Sequence, residues 1–242
     1  MFNKHQYSIL SERYFECLLG DFTALSWMIG LAPLVSAPIV LRWQSFQPTD
    51  TLYFVFALST VFFGCINACG EISKEAAIYK RERLFGLNSG AYLASKIKIL
   101  SLLGLVQIGI FYFIIERYLN TDLVPVLTFN TLFWSYFAGM SIGLMFSRWC
   151  GTTLKALISV PLVIIPQIVF SKFVLPQNTL KGAALKIEKL MVAKWGFEAL
   201  QHCKKGQIVW GDYLFSITIL IGLSIIFLFL TLFHLWFAGE DT

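Results

Sequence analysis

The chain has 242 residues, of which 57% are hydrophobic and 14% are charged, and it contains 23 phenylalanines. Soluble globular domains carry about 25% charged residues, so this composition excludes an ordinary soluble domain and indicates an integral membrane protein. The net charge of +5 is explained by basic residues that border membrane spans. We therefore expect membrane lipid as a partner and no nucleic acid.

The first predicted element is a helix within residues 1–21. Apolar residues recur there at helical spacing, at Tyr7, Leu10, Tyr14 and Leu18, and charged residues fill the opposite side. This pattern is typical of a helix that lies in the membrane interface. A disordered tail is the alternative.

Six apolar runs follow and are predicted as transmembrane helices: Phe22–Leu41, Leu52–Cys69, Ile97–Ile115, Leu123–Phe146, Ala156–Ser171 and Tyr213–Phe237. A helix needs about 20 residues to cross the hydrocarbon layer. The fifth run is shorter and contains Pro161 and Pro166, so it is either broken or incomplete as a crossing. In the fourth run, Gly139 and Gly143 form a GxxxG pair that predicts close approach of another helix.

The predicted fold is thus an all-α integral membrane protein with a single transmembrane domain over residues 1–242. Residues 1–21 form the interfacial connecting helix, and residues 22–171 contain spans one to five with a polar region at 70–98. Residues 172–212 form a re-entrant segment before the last span, which lies with the tail in residues 213–242.

Basic residues predict the orientation, because cytoplasmic loops carry an excess of Lys and Arg. Regions 70–98 and 148–155 are rich in them, whereas the two short turns on the other side hold only Arg42 and Arg117. We therefore expect both termini to be cytoplasmic. The lysine-rich region 172–212 would then lie outside, which is acceptable because long loops follow the rule less strictly.

Region 172–212 contains its own helical pattern. Apolar residues recur at helical spacing between Leu180 and Gln201, and Gly196 is expected to interrupt the helix near its end. A pair of short amphipathic helices that dips back toward the membrane fits this pattern. A surface helix packed on the spans is the alternative.

Residues 70–98, which we call the island, hold nine charged residues between two apolar runs. On a helix, the residues Glu71, Glu75, Tyr79 and Glu82 would form an acidic stripe. Basic residues flank it and are able to pair with it or with a partner protein: Lys74, Lys80, Arg81 and Arg83. A break is expected from Gly86 to Gly90.

Motifs for autonomous chemistry are missing from the sequence. It contains no phosphate-binding GxxxxGK[ST] loop, no HExxH zinc helix, no GxSxG nucleophile elbow and no paired aspartates. The five cysteines and three histidines are scattered and predict no metal site. The spans hold no carboxylate of the kind that proton- or sodium-driven carriers use, so an external source of work is needed.

The run FFGCINACGEISKEAAIYKRERLFGLNSGAYLASK, which begins at Phe62, resembles the coupling region of ABC exporter permeases of the white, or G, subfamily. It is most similar to the bacterial branch whose ATPase is fused to forkhead-associated domains. Three further stretches also resemble this family: LSERYFECLLGDFTAL, VPLVIIPQIVFS and KWGFEAL. They correspond to the connecting helix, the fifth helix and the re-entrant region.

The resemblance implies a permease subunit of an ATP-driven exporter in the bacterial cytoplasmic membrane. Such a subunit moves a lipid-like or amphipathic substrate out of the cytoplasm or inner leaflet by alternating access. A separate ABC ATPase would bind ATP and Mg, so no catalytic, cofactor or metal site is expected in this chain. A second permease copy, identical or not, would complete the transporter.

By the same resemblance, the residues expected to couple to the ATPase are Glu71, Glu75, Tyr79, Arg81, Glu82 and Arg83. The residues expected to line the substrate path are Ser59, Phe63, Asn67, Pro161 and Gln167. The alternative function is a membrane-embedded enzyme or a non-transporting scaffold subunit of a membrane complex.

Overall fold

The computed structural model describes residues 4–171, 173 and 182–237. Residues 1–3, 172, 174–181 and 238–242, which include parts of the predicted re-entrant region and the tail, lie outside this description. Within the described ranges the chain forms a short 3₁₀ helix, Ser73–Glu75, and these α-helices: α1 (Lys4–Gly20), α2 (Phe22–Trp43), α3 (Asp50–Ala68), α4 (Ala76–Leu84), α5 (Ser89–Tyr118), α6 (Pro125–Trp149), α7 (Thr153–Val169), α8 (Ala183–Leu190), α9 (Val192–Gln201) and α10 (Trp210–Phe237).

Short polar side chains cap the N-termini of three of the long helices. The side chains of Asp21, Thr49 and Asn88 accept hydrogen bonds from backbone N–H groups in the first turns of α2, α3 and α5. Such caps satisfy donors that a helix cannot satisfy internally. The bond from the Ala24 N–H also lowers the pKa of Asp21.

Helix α3 packs most closely against α6 and forms the centre of the bundle. Glycines make the close approach possible: a Cβ atom placed on Gly139 would collide with the Val61 backbone, and one on Gly143 with the Cys65 backbone. Gly64 meets the backbone of α6 in the same way. The predicted close approach at the GxxxG pair is confirmed, and its partner is α3 of the same chain.

The polar connections gather at two opposite ends of the bundle. At one end, the Lys205 N–H donates to the carbonyl of Asp122, and the Lys204 ammonium lies 3.6 Å from a carboxylate oxygen of Asp50. At the other end, the island contacts α1 and the end of α6. The segments predicted to be outside therefore meet at one end, and the island lies at the other.

Four helical stretches of the described chain are long and apolar enough to cross a membrane: Phe22–Trp43, Asp50–Leu84, Ser89–Tyr118 and Trp210–Phe237. Helix α6 has 25 residues but is not in this group, and it carries many buried Ser and Thr side chains. Helix α7 is apolar but has only 17 residues. The chain is thus an all-helical multi-pass membrane protein, and the count of six spans stays a prediction.

Most predicted helix ends shift by one to three residues, and two expectations about helix breaks are wrong. Ser89 and Gly90 were expected in a break, but they form the first turn of α5, because Asn88 caps the helix eight residues before the apolar run begins. Gly196 was expected to interrupt a helix, but it lies inside α9, and the break falls at Met191. Gly196 is instead a contact point, where a Cβ atom would collide with Ser135 of α6.

Candidate functional site

The island is not one continuous helix. The hydroxyl of Ser147 at the end of α6 accepts hydrogen bonds from the backbone N–H groups of Ile72 and Ser73, at 2.9 and 3.1 Å. These N–H groups are thereby bonded outside the helix, and the chain turns through a 3₁₀ segment before α4 begins at Ala76. The acidic stripe expected on a single helix is therefore divided between a turn, the 3₁₀ segment and α4.

Glu71 joins the island to α1. Its carboxylate, which is 5% exposed, accepts hydrogen bonds from the Tyr14 hydroxyl at 2.7 Å and from the Lys74 ammonium at 2.8 Å. Burial, together with the nearby Glu71 carboxylate, raises the pKa of Tyr14 well above its ordinary value. Tyr14 therefore remains a neutral hydrogen-bond donor at physiological pH.

Glu75 joins the island to α5. Its carboxylate accepts hydrogen bonds from the Lys96 ammonium at 2.7 Å and from the Tyr92 hydroxyl at 3.2 Å. Lys96 is 1% exposed, and its ammonium lies 3.5 Å from the centre of the Tyr14 ring. A buried ammonium is costly unless it is paired, and here a carboxylate and an aromatic face share that role.

Glu82 of α4 makes a second connection to α1. The Arg13 guanidinium donates to both carboxylate oxygens of Glu82, at 2.5 and 3.4 Å. The hydrogen bond with Glu82 raises the pKa of Arg13. Both side chains are partly exposed, so the pair orients α4 against α1 more than it stabilises the fold.

Tyr79 and Arg83 connect α4 to both long helices beside it. The Tyr79 hydroxyl lies 2.8 Å from the Ser89 hydroxyl and donates to the Leu235 carbonyl of α10 at 3.2 Å. Arg83 also donates to the Ser89 hydroxyl and reaches the Leu87 carbonyl. Helix α4 ends at Leu84, and Gly86 beyond it has a φ of +88° and hydrogen bonds that match a Schellman motif.

The other side of α4 faces away from the bundle. Lys80 and Arg81 are exposed there, and in the part of the chain that the structure describes neither forms an ion pair. Leu84 and Phe85 are 75% and 86% exposed. Of the six residues expected to couple, Arg81 is thus the one on this outer face, and the other five bond to the rest of the bundle.

The residues expected on the substrate path do not come together around one cavity. Ser59, Phe63 and Asn67 are buried on α3; the Asn67 amide donates to Gln107 and Tyr136, and Phe63 packs edge-to-face on Phe111.

The two residues from α7 lie elsewhere. Pro161 is exposed, whereas Gln167 is buried, accepts a hydrogen bond from the Ala193 N–H at 2.7 Å and lines a cavity with α9.

Sequence reasoning missed several residues of the island's inner contacts, among them Arg13, Tyr14 and Lys96. These three all carry such contacts, although none was assigned a role as a site residue. The useful signal was the position of Lys96 at the border of an apolar run, where a lysine must either reach water or find a carboxylate.

The sequence profile of the ABC-2 type transporter family matches residues 5–203 of the 242. The chain belongs to the ABC-2 type transporter family. The match begins in α1 and continues to the end of α9, so it includes the whole island. Among curated proteins, none matches the chain.

As an ABC-2 permease, the chain is the membrane component of an ABC transporter and not its ATPase. ABC-2 permeases work with a separate ABC ATPase subunit, which is where ATP is hydrolysed. The island is the polar region that separates the second and third apolar runs of this permease.

Proposed function

We propose that this ABC-2 permease is an exporter subunit driven through the outer face of α4. The observation that carries the proposal is the division of that helix into two sides. Its inner side bonds to α1, α5 and α10, whereas its outer side presents Arg81, Leu84 and Phe85 to the surroundings. An exposed apolar pair beside basic residues fits a docking surface for another protein.

The inner contacts supply a route for movement. A displacement of α4 by a closing ATPase dimer would pull on α1 through Glu82, and on α5 and α10 through Tyr79. Glu71 and Glu75 tie the preceding turn to α1 and α5. In this proposal these side chains keep the helices moving as one body, and Arg81 contacts the ATPase.

The proposed cargo is lipid-like or amphipathic and leaves the cytoplasm or inner leaflet by alternating access. Ser59, Phe63 and Asn67 are buried here, so they would meet a cargo only after α3 and its neighbours separate. Pro161 and Gln167 would line the path from α7. The phenylalanine content is compatible with such a cargo.

We also propose a narrower family, a number of spans, a dimeric assembly and an orientation in the membrane. These are the white, or G, subfamily type with its bacterial branch, six spans, a second permease copy, and a bacterial cytoplasmic membrane with both termini inside. Their support is the resemblance of the island and of the three further stretches, together with the position of the basic island beside α1 and the end of α6.

The test is a reconstitution of the permease with its ABC ATPase, comparing Arg81→Glu and Phe85→Asp with the unaltered chain. We expect both variants to fold normally but to retain less ATPase on affinity purification, and to lose stimulation of ATP hydrolysis. Glu75 is unsuitable for this purpose, because its reversal would also leave Lys96 unpaired.

The matched control is Lys186→Glu, an exposed charge reversal on α8. Helix α8 contributes to a cavity with Phe54 near the start of α3, at the opposite end from the island, so the control should bind the ATPase fully. Full ATPase binding by Arg81→Glu and Phe85→Asp would refute the docking surface. Activity of the isolated chain without any nucleotide would refute the transporter mechanism and favour the enzyme or scaffold alternative.

A further inference from the structure

A cavity of about 80 Å³ lies between the first turns of α3, the end of α7 and the pair α8–α9. Three charged side chains line it: Glu188, Lys194 and Glu198. It is located at the end of the bundle opposite the island, since Phe54, one of its walls, follows the start of α3 at Asp50. The coupling contacts described above involve none of these residues.

The charges of the described residues that line this cavity do not balance. The Lys194 ammonium lies 3.4 Å from a carboxylate oxygen of Glu188 and 3.7 Å from one of Glu198. One ammonium therefore serves two carboxylates, and both separations exceed the usual length of a charge-assisted hydrogen bond. Among the described residues that line the cavity, one negative charge is left over, and all three charged side chains are mostly buried.

A buried hydroxyl in the cavity points independently to a ligand. Ser171 is 7% exposed and lines the cavity, and its Oγ has no hydrogen-bond partner in the structure as described. A buried hydroxyl without a partner is costly. A ligand with N–H donors would satisfy it.

Part of the remaining wall is aromatic, and Gln167, Met191 and Gln201 also line the cavity. Phe54, Phe173 and Phe197 contact one another, with ring centroids 5.1 to 6.2 Å apart. Aromatic rings accommodate both an alkyl chain and a cation. The cavity thus combines surplus negative charge, a free acceptor and an apolar wall.

We propose that this cavity binds the primary ammonium group of an alkylamine, with Glu198, Glu188 and Ser171 as acceptors and the phenylalanines against its alkyl chain. A primary ammonium has three N–H donors and one positive charge, so it supplies what both the carboxylates and the hydroxyl lack. Binding needs no ATPase. The proposal can therefore fail while the transport function stands, and the reverse also holds.

The test is calorimetric titration of the purified full chain in nanodiscs with three probes of equal chain length: hexylammonium, hexanol and hexanoate. We expect saturable binding of hexylammonium alone. If hexanol bound as tightly as hexylammonium, the cavity would be an apolar pocket without preference for a cation. If hexanoate bound more tightly, the cavity would be an anion site formed by Lys194. Either result overturns the proposal, as does the absence of hexylammonium binding.

The variants are expected to change the affinity for hexylammonium in opposite directions. Glu198→Gln should weaken hexylammonium binding about tenfold, because it removes a negative charge, and Ser171→Ala should weaken it about threefold, because it removes an acceptor. Lys194→Gln removes the competing cation and should tighten binding severalfold. The control Asp212→Asn, an exposed carboxylate on α10 that does not line the cavity, should bind like the unaltered chain.

Thermal unfolding of each variant identifies any that fail to fold, and the remaining variants still decide the question. Weaker binding in Lys194→Gln, or unchanged binding in both Glu198→Gln and Ser171→Ala, contradicts the proposal. Nanodiscs with and without phosphatidylethanolamine distinguish the source of the ammonium. If phosphatidylethanolamine competes with hexylammonium, the natural ligand is a lipid headgroup. If the affinity for hexylammonium is the same in both kinds of nanodisc, the natural ligand is a free amine.

Discussion

Lys96 is the most deeply buried charged residue of the island. It is 1% exposed, its ammonium lies 2.7 Å from the Glu75 carboxylate, and the Tyr14 ring covers another side. Removing one member of a buried pair leaves the other charge uncompensated, which costs more than the pair itself contributes. The lysine therefore holds the island, α1 and α5 in one arrangement.

Lys96→Met is expected to lower the free energy of unfolding by about 2–3 kcal/mol, less than for a fully buried pair, because Glu75 remains partly exposed. The double variant Lys96→Met with Glu75→Gln should recover part of this loss. Thermal or denaturant unfolding of the purified protein in detergent measures both.

Lys98→Met is the matched control, because Lys98 lies two residues further on α5 and is exposed. Its free energy of unfolding should change by less than about 0.5 kcal/mol. A Lys96→Met variant as stable as Lys98→Met would mean that the Lys96–Glu75 pair does not hold the island.

At the scale of helices, close backbone approach between α3 and α6 organises the bundle. Membrane helices gain little from hydrophobic burial against each other, so packing at small residues becomes decisive. Gly139 and Gly64 place backbone against backbone on the two sides of this contact. The polar chain Asn67, Gln107 and Tyr136 crosses the same interface and ties α5 to it.

Gly139→Ala is expected to destabilise the protein by about 1–3 kcal/mol, because the added Cβ collides with the Val61 backbone and forces α3 and α6 apart. The comparison is Gly222→Ala on α10, where a Cβ meets no atom within 4 Å. That variant should be neutral or slightly stabilising, since Ala favours helix more than Gly does. Equal unfolding midpoints for the two variants would contradict the packing argument.

At the scale of the whole molecule, α7 is the helix that most needs a neighbour. It is shorter than the membrane is thick, and Leu157, Ile158 and Leu162 are exposed along it. Pro161 and Pro166 have no N–H, so two carbonyls of α7 lose their usual donor. Such carbonyls need protein cover rather than lipid, which a second permease copy would supply.

A cysteine placed at Ile158 or Leu162, in a variant without the native cysteines, is expected to give a disulfide-linked dimer upon oxidation in membranes. Phe229→Cys serves as the control, because it is equally exposed but lies on α10, which is long enough to face lipid alone. Cross-linking at Phe229→Cys and none on α7 would place the interface elsewhere. Gel electrophoresis without reductant measures the result.

The sequence alone determined the class of protein, the position of the island and most helix boundaries. These depend on local properties, namely the length of apolar runs and turn glycines such as Gly86. The resemblance to exporter permeases was also recognisable from the sequence, because it rests on several motifs that occur in a fixed order. The ABC-2 family match then supported its coarser part.

Only the tertiary structure decided which side of α4 faces the bundle, because charged residues occur around much of this short helix and leave its rotation undetermined. It also decided that Glu75 pairs with Lys96, and that Glu188, Lys194 and Glu198 share a cavity with Ser171. The physical reason is sequence separation. Contacts between residues that are tens of positions apart depend on how whole helices pack. The periodicity of one helix does not indicate which helix packs against it.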